Sequence, residues 1–323
     1  MVKKVAIGVD IGGGSVKLGA VSPGGKIILR DSFLTVSSRE KLLKTLLDHL
    51  LDLKRQAGRR KLKVIGIGVG APGPIHIGKG LVYFFPNIPG WKNVPLKKRL
   101  ERRLALPVRL DNDANAMALA EFCYGAGRGA TNLIALTLGT GVGGGLVING
   151  ELFRGAAFSA AEVGHLVVNE KGPRCSCGSR GCLETYVGSG YFIREVKRRL
   201  KSGGKSILRQ WIRQKKILSP FLVAQAAKQG DRFSKEIWRE TGEHLGTALA
   251  GLVNILNPDT IVLGGGIAQN GRLLFDAVTR TIRKKAFPIA ARSVKVVPAA
   301  LGVDAGIIGA ASLIFSKEGT LTE

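Results

Sequence analysis

Residues 4–21 read Lys-Val-Ala-Ile-Gly-Val-Asp-Ile-Gly-Gly-Gly-Ser-Val-Lys-Leu-Gly-Ala-Val. An apolar run ends at Asp10, a glycine-rich turn follows, and a second apolar run spans 16–21. This pattern predicts strand, glycine turn, strand. It recurs further on: 132–138 reads as a strand, 139–145 as a glycine turn and 146–149 as a return strand. Asp10-Ile-Gly-Gly-Gly aligns with Leu138-Gly-Thr-Gly-Val, 128 residues later. That offset is roughly one domain. Two similar halves are expected, each opening with a glycine hairpin, facing one another across a cleft. Alternating strands and helices favour an α/β fold. The hairpins argue against a purely parallel sheet.

The rest of the chain fits that frame. Leu42, Leu43, Leu46, Leu47, Leu50 and Leu51 recur at helical spacing within 39–57. Strands are expected at 63–70 and 107–111, with a Pro/Gly loop from Ala71 to Trp91 between them. A helix is expected over 114–123, loop over 156–190, and mainly helix over 191–256. Strands at 260–263 and 294–298 flank a helix at 270–285, and a last helix starts from Asp304.

A length of 323 residues suits two domains. With 45% hydrophobic and 22% charged residues, a wholly disordered chain is excluded. The 45 glycines follow no triplet period, so collagen is excluded too. No apolar run is long enough for a transmembrane helix. The N-terminus reads as a first strand and not as a signal peptide, so a cytoplasmic location is expected. The net charge of +26 permits a polyanionic partner, but it equally fits a solvated basic surface.

Several groups carry chemistry. Phosphate oxygens need converging backbone N–H donors and a close backbone approach, which glycine allows. Gly12, Gly13, Gly14 and Ser15 suit one such cradle, and Gly139, Thr140 and Gly141 a second. Neither is a Walker loop, and both turn from strand to strand, unlike the dinucleotide fingerprint. Asp10, at the mouth of the first turn, suits Mg²⁺ or an Asx-turn. In Leu110-Asp-Asn-Asp-Ala-Asn115 a strand gives way to a helix, and Asp113 reads either as a general base or as the helix cap. Asn112 suits a neighbouring hydroxyl. Glu162, His165 and Glu184 suit sugar hydroxyls or a plain polar surface.

Cys175-Ser-Cys177-Gly-Ser-Arg-Gly-Cys182 is the sharpest local signal. Three thiolates, with His165 as the fourth ligand, would make a closed structural zinc site. Cys123 lies on an apolar helical face and reads as core. The stretch Arg194–Lys216 holds ten Lys/Arg and one acid, Glu195, and reads as a solvated face or a polyanion surface.

Together these motifs resemble the ROK family of sugar kinases and repressors, within the hexokinase and actin-like ATPase superfamily. Asp10-Ile-Gly-Gly and Leu138-Gly-Thr-Gly-Val-Gly-Gly-Gly145 resemble its two phosphate motifs. Gly70-Ala-Pro-Gly-Pro-Ile75 resembles its hinge-side loop, and Pro86-Asn-Ile-Pro-Gly-Trp91 its sugar-side loop. Asn112-Asp113-Ala-Asn115 resembles the catalytic segment. Glu162-Val-Gly-His165 and the cysteine cluster through Glu184 resemble the sugar-and-zinc segment. Leu263-Gly-Gly-Gly266 resembles the adenosine-side motif.

The resemblance implies an actin-like ATPase (ribonuclease H-like) fold. It implies a small N-terminal domain of residues 1–115 plus 302–323 and a large domain of 116–301. It implies an ATP-dependent hexose kinase, a glucokinase in the first place, with mannose, allose, fructose or N-acetylmannosamine as other acceptors. Asp113 would be the catalytic base. Asn87, Asn112, Glu162, His165 and Glu184 would bind sugar. Asp10 would place Mg²⁺, and Gly264 and Gly265 would face the nucleotide. His165, Cys175, Cys177 and Cys182 would hold Zn²⁺. A homodimer or homotetramer is implied.

Two features depart from the glucokinase pattern. The first turn has Gly13-Gly14-Ser15 where family glucokinases carry Gly-Gly-Thr-Lys. Its order through Lys17 is similar to that of polyphosphate glucokinases, which keeps polyphosphate as an alternative donor. The cysteine cluster is similar to the ATP-using branch. The repressor branch carries a helix-turn-helix domain before the first phosphate motif. Here Asp10 comes almost at once, so no DNA-binding domain is expected, and a non-catalytic sugar sensor is the lesser reading.

Overall fold

The computed structural model describes residues 2–85, 90–317 and 320–321. Asn87, expected to bind sugar, lies outside the described residues. The chain divides into two compact units. The first holds Met1–Thr131, Gly145–Ala161 and Ala300–Glu323, and the second holds Asn132–Gly144 and Glu162–Ala299. The boundary expected at 115 therefore falls inside the first unit, which also takes in a segment from the middle of the chain.

The first unit begins with β1 (Lys3–Ile11), β2 (Ser15–Val21) and β3 (Ile27–Leu34), a meander of antiparallel neighbours. Strand β3 is not evident in the sequence, because Arg30 and Asp31 interrupt its apolar run and only Leu29 is buried. Helix α1 (Arg39–Arg59) buries Leu42, Leu43, Leu46, Leu50 and Leu53. It leads to β4 (Leu62–Ala71), parallel to β1.

The expected Pro/Gly loop contains a small antiparallel sheet: β5 (Ile75–His76), β6 (Leu81–Phe84) and β7 (Lys92–Val94). Strands this short show no legible alternation. Helix α2 (Leu96–Leu104) then leads to β8 (Val108–Asn112), parallel to β4, and β8 runs straight into α3 (Asp113–Tyr124). The main sheet order is β3-β2-β1-β4-β8.

The second glycine hairpin joins β9 (Leu133–Leu138) to β10 (Val142–Ile148), and β10 pairs antiparallel with β11 (Glu151–Phe153). In the second unit the expected loop carries one 3₁₀ turn, Val163–His165, and the short α4 (Glu184–Val187). The helical stretch resolves into α5 (Ser189–Lys201), α6 (Leu208–Arg213), α7 (Pro220–Lys228) and α8 (Arg232–Leu256). Then come β12 (Thr260–Gly264), α9 (Gly265–Ala268), α10 (Arg272–Lys285), α11 (Pro288–Ser293) and β13 (Lys295–Pro298). Strands β9, β12 and β13 are parallel neighbours, and α10 packs along α8.

The last helix, α12 (Ala305–Phe315), packs in the first unit on β1, β4 and α3. The approach is backbone to backbone. A Cβ at Gly8 would fall 1.9 Å from the Ile307 carbonyl oxygen, and one at Gly68 would fall 1.6 Å from that of Ala310. No helix among the described residues is long and apolar enough to cross a membrane.

This close approach has a direct test. Gly68→Ala is expected to destabilise the protein by at least about 1–3 kcal/mol, because the α12 backbone must move. Gly58→Ala, in α1 with nothing within 4 Å of the added methyl, is expected to stabilise by about 0.5–1 kcal/mol. Urea midpoints moving together, or in the reverse order, would contradict this packing.

Candidate functional site

In the first unit the site stands at the carboxyl ends of β1, β4 and β8, where open α/β sheets present their ligands. Asp10 pairs with Gly70 across β1 and β4, and Gly70 pairs with Asp111 across β4 and β8. A Cβ on Gly70 would lie 3.6 Å from the Asp113 Cα. Asp10 and Asp113 thus stand close, and Lys17 faces Asp10 from β2.

Burial pushes the Asp10 carboxyl up to about 6. The Asp113 charge adds to that shift and the Lys17 charge opposes it. Gly306 on α12 leaves the space: a Cβ there would lie 2.4 Å from the Asp10 carboxylate. In the first turn the Gly12 N–H donates to Ser15 O at 3.0 Å, and the Thr35 hydroxyl donates to Gly12 O at 2.7 Å. Gly13 and Gly14 are exposed. The turn is therefore pinned at Gly12, and its tip faces solvent.

The β8–α3 junction answers the question left open by the sequence. Asn112, in extended conformation, is the N-cap of α3, and its Oδ1 accepts from the N–H groups of Ala114 (2.9 Å) and Asn115 (3.4 Å). Asp113 is the first helical residue and not the cap. The Asn112 amide donates to Gly73 O at 3.4 Å. Its oxygen is committed to the helix, so it is the Nδ2 that remains suited to a ligand hydroxyl.

Sequence reasoning missed what lies beneath. Asp111 is fully buried. Its Oδ1 accepts from the Asn112 N–H (2.8 Å) and from Asn115 Nδ2 (2.9 Å). Its Oδ2 pairs with Arg154 Nε at 2.7 Å. An aspartate closing a short strand before Asn-Asp was the available signal. Arg154 lies 43 residues away and gave none.

In the second unit the structure brings Glu184 onto the second glycine turn. The Val142 N–H donates to Glu184 Oε2 at 3.0 Å, and a Cβ at Gly141 would lie 2.3 Å from that oxygen. Ser189 N–H donates to Gly139 O, and Gly139 N–H donates to Gly141 O, so this turn too is fixed from within. Thr140 is exposed. Gly264 ends β12 opposite Thr137 of β9. Gly265, at φ +87°, lies against Leu138. Gly264 and Gly265 therefore adjoin the strand that feeds Gly139–Gly141. Glu162 is exposed and precedes the 3₁₀ turn that ends at His165.

His165, Cys175, Cys177 and Cys182 place their ligand atoms within 4.8 Å of one another. Cys175 Sγ lies 3.7 Å from His165 Nδ1, and Cys177 Sγ lies 3.7 Å from Cys182 Sγ. A tetrahedron with ~2.3 Å metal–sulfur bonds has edges of about 3.8 Å. The set fits a structural zinc. The backbone is shaped for it: Gly178 N–H donates to Cys175 O and Cys175 N–H to Ser179 O.

Two sequence readings find their place elsewhere. Cys123 is half-buried on α3, and burial pushes its thiol up to about 12, as suits an unreactive core thiol. In the basic stretch, Arg198 and then Arg199 hold the Glu195 carboxyl down at about 2. Arg199 also pairs with Glu240. Part of that charge is thus neutralised within the second unit.

The Asp10 environment sets a pH dependence. Native Asp10 keeps its proton up to about pH 6, against 3.8 for the ordinary carboxyl. The folded state therefore binds more protons between those values, and this group's contribution to stability is lost as pH rises through that window. Asp10→Asn is expected to stabilise the ligand-free protein by about 1–3 kcal/mol at pH 7.5 and to change it little at pH 3.5. Urea unfolding at both pH values checks this, and equal stability of variant and wild type at pH 7.5 would contradict it.

Known proteins are similar to this chain over nearly its whole length. The glucokinase of Thermotoga maritima is 37% identical over 322 residues, covering 99% of this chain and 100% of the relative. The xylose repressor of Caldicellulosiruptor bescii is 32% identical, covering 96% of this chain and 78% of the repressor. A crystal structure of a ROK family glucokinase from Streptomyces griseus, in complex with glucose and AMPPNP, aligns with a TM-score of 0.78 at 32% identity. It covers 96% of this chain and 98% of that one. The fold class is the expected α/β fold of the actin-like ATPases, with two five-stranded sheets that each mix parallel and antiparallel neighbours. The ROK family pattern itself matches residues 6–317, and the chain belongs to the ROK family.

Proposed function

We propose that this protein is an ATP-dependent glucokinase, transferring the γ-phosphoryl group of Mg·ATP to the 6-hydroxyl of glucose. One observation carries the reading. Asn112 supplies the helix cap, and Asp113, the first helical residue, accepts the Ala114 N–H at 2.8 Å and stands beside Asp10 at the sheet's carboxyl edge. Asp113 accepts the proton of the 6-hydroxyl as the oxygen attacks phosphorus.

Asn112 Nδ2, Asn87, Glu162, His165 Nε2 and Glu184 bind the sugar hydroxyls. Glu184 is held at one oxygen by Val142 N–H, which leaves the other to accept from sugar. Gly12–Ser15, Lys17 and Gly139–Gly141 face the phosphates, and Gly264 and Gly265 the adenosine. Asp10 takes the magnesium side. Bound magnesium neutralises phosphate charge, and that favours the ionised form of Asp10 at neutral pH. The glucokinases among the relatives support both hexose and nucleotide. The repressor relative favours a second reading, a sugar-sensing regulator. Asp113 and the two glycine turns speak for the kinase.

ADP release from Mg·ATP is the test, across glucose, mannose, allose, fructose and N-acetylmannosamine, with a no-sugar blank. Glucose is expected to give by far the fastest release. Release with another hexose alone corrects the substrate, and none with any hexose contradicts the kinase and returns polyphosphate donor or regulator to first place. Asp113→Asn is expected to lower turnover by about 10²–10⁴-fold with glucose binding retained.

The Cys₃His site holds structural zinc in this reading and stabilises the segment between Glu162 and Glu184. Metal analysis is expected to find about one zinc per chain, and chelation to lower the thermal midpoint. Zinc-free protein with an unchanged midpoint would contradict the assignment.

A further inference from the structure

We propose that Arg154 is a positioning residue for Asp113, acting through the buried carboxylate of Asp111. The proposal rests on the kinase reading and extends it to a residue outside the family motifs quoted above.

The geometry is specific. One carboxylate, that of Asp111, holds the chain on both sides of Asp113. It accepts the Asn112 N–H on one side and Asn115 Nδ2 on the other. Asn112 Oδ1 closes the bracket by taking the N–H groups of Ala114 and Asn115. The first turn of α3 is therefore hung from Asp111. Asn115 shows how strongly. Its Oδ1 is buried with no hydrogen-bond partner, a costly arrangement. Flipping the amide would turn that oxygen toward the Asp111 carboxylate. Asn115 keeps the orphan and the Asp111 contact.

Asp111 is fully buried, and a buried carboxylate needs a cationic partner. Arg154 Nε supplies it at 2.7 Å, with the Arg154 side chain only 18% exposed. Arg154 follows β11 directly, and its Nη1 donates to Leu152 O at 3.3 Å. Its own carbonyl accepts the Ala160 N–H at 3.0 Å. The guanidinium is thus held from its own segment and presented to Asp111. The link from Arg154 to the first turn of α3 runs through Asp111. Misplacing a catalytic group by about 1 Å can cost about 100-fold in turnover.

The experiment reads Arg154→Met and Arg154→Lys in the full chain. It measures kcat, glucose KM, thermal midpoint, and amide hydrogen exchange over residues 108–119. Arg154→Met is expected to lower kcat by about 100-fold with KM within about threefold, and to speed exchange at Ala114 and Asn115 by at least about tenfold. Arg154→Lys, which keeps a cation on Asp111, is expected to recover kcat to within about tenfold of wild type and to restore slow exchange. Asp111→Asn/Arg154→Met is expected to be no slower than Arg154→Met alone, because both act through one link.

Wild-type kcat in Arg154→Met would overturn the role, as would a loss carried wholly by KM or additive losses in the double variant. If Arg154→Met does not fold, Arg154→Gln takes its place, with an expected fall of about tenfold in kcat; an unchanged kcat overturns the proposal. If wild type phosphorylates no hexose, the kinase reading fails on that ground alone. The exchange data then decide the Arg154 link separately: fast exchange in Arg154→Met sustains it, and unchanged exchange overturns it.

Discussion

The last helix lies directly on the backbone of the first sheet, and the geometry of the candidate site follows from that contact. At Gly8 and Gly68 no side chain separates α12 from β1 and β4. The strands must therefore keep their register beneath it, and that register sets Asp10, Gly70 and Asp111 side by side. The contact is secured at the far end of α3. Glu121 is fully buried there, and its carboxylate accepts the N–H groups of Ala126, Ala300 and Leu301. The segment leading to α12 is thereby tied to the helix that begins at Asp113. A shift of α12 would be felt at both carboxylates.

Three carboxylates crowd this edge of the sheet, and their surroundings separate their roles. Asp111 is sealed under the helix start and matched by Arg154. Asp10 is confined beside Gly306, where burial favours its protonated form. Asp113 opens the helix, with its capping duty taken by Asn112. Like groups in unlike environments can take unlike roles on one fold, which is the basis of the proposed assignment of anchor, metal-side group and base. In the second unit Glu184 is fixed in the same way, by one N–H of a glycine turn.

Much of this was legible in the sequence because it rests on local signals. The two glycine turns, the strand preceding Asn112-Asp113, the cysteine spacing and the leucine periodicity of α1 are each set by neighbours a few residues apart. The structure places them in the expected elements, except that the second turn is shorter than 139–145, because β10 already begins at Val142. What was not legible depends on distance or brevity. Strand β3 hides because it buries little, and β5 to β7 because each is at most four residues long. Which of Asn112 and Asp113 caps α3 turns on a side-chain direction that composition does not carry. Arg154 carries no local signal, because its partner Asp111 lies 43 residues away in the sequence. The boundary of the first unit lies beyond 115 because α3 packs on α12, a contact between ends of the chain.

The proposed kinase moves the γ-phosphoryl group of ATP onto a hexose hydroxyl. Phosphorus NMR of the protein with Mg·ATP and glucose tests it most directly, because it identifies the acceptor as well as the loss of ATP. A hexose 6-phosphate resonance is expected to grow one-for-one with ADP. Inorganic phosphate growing in its place, or a spectrum that does not change, would contradict it.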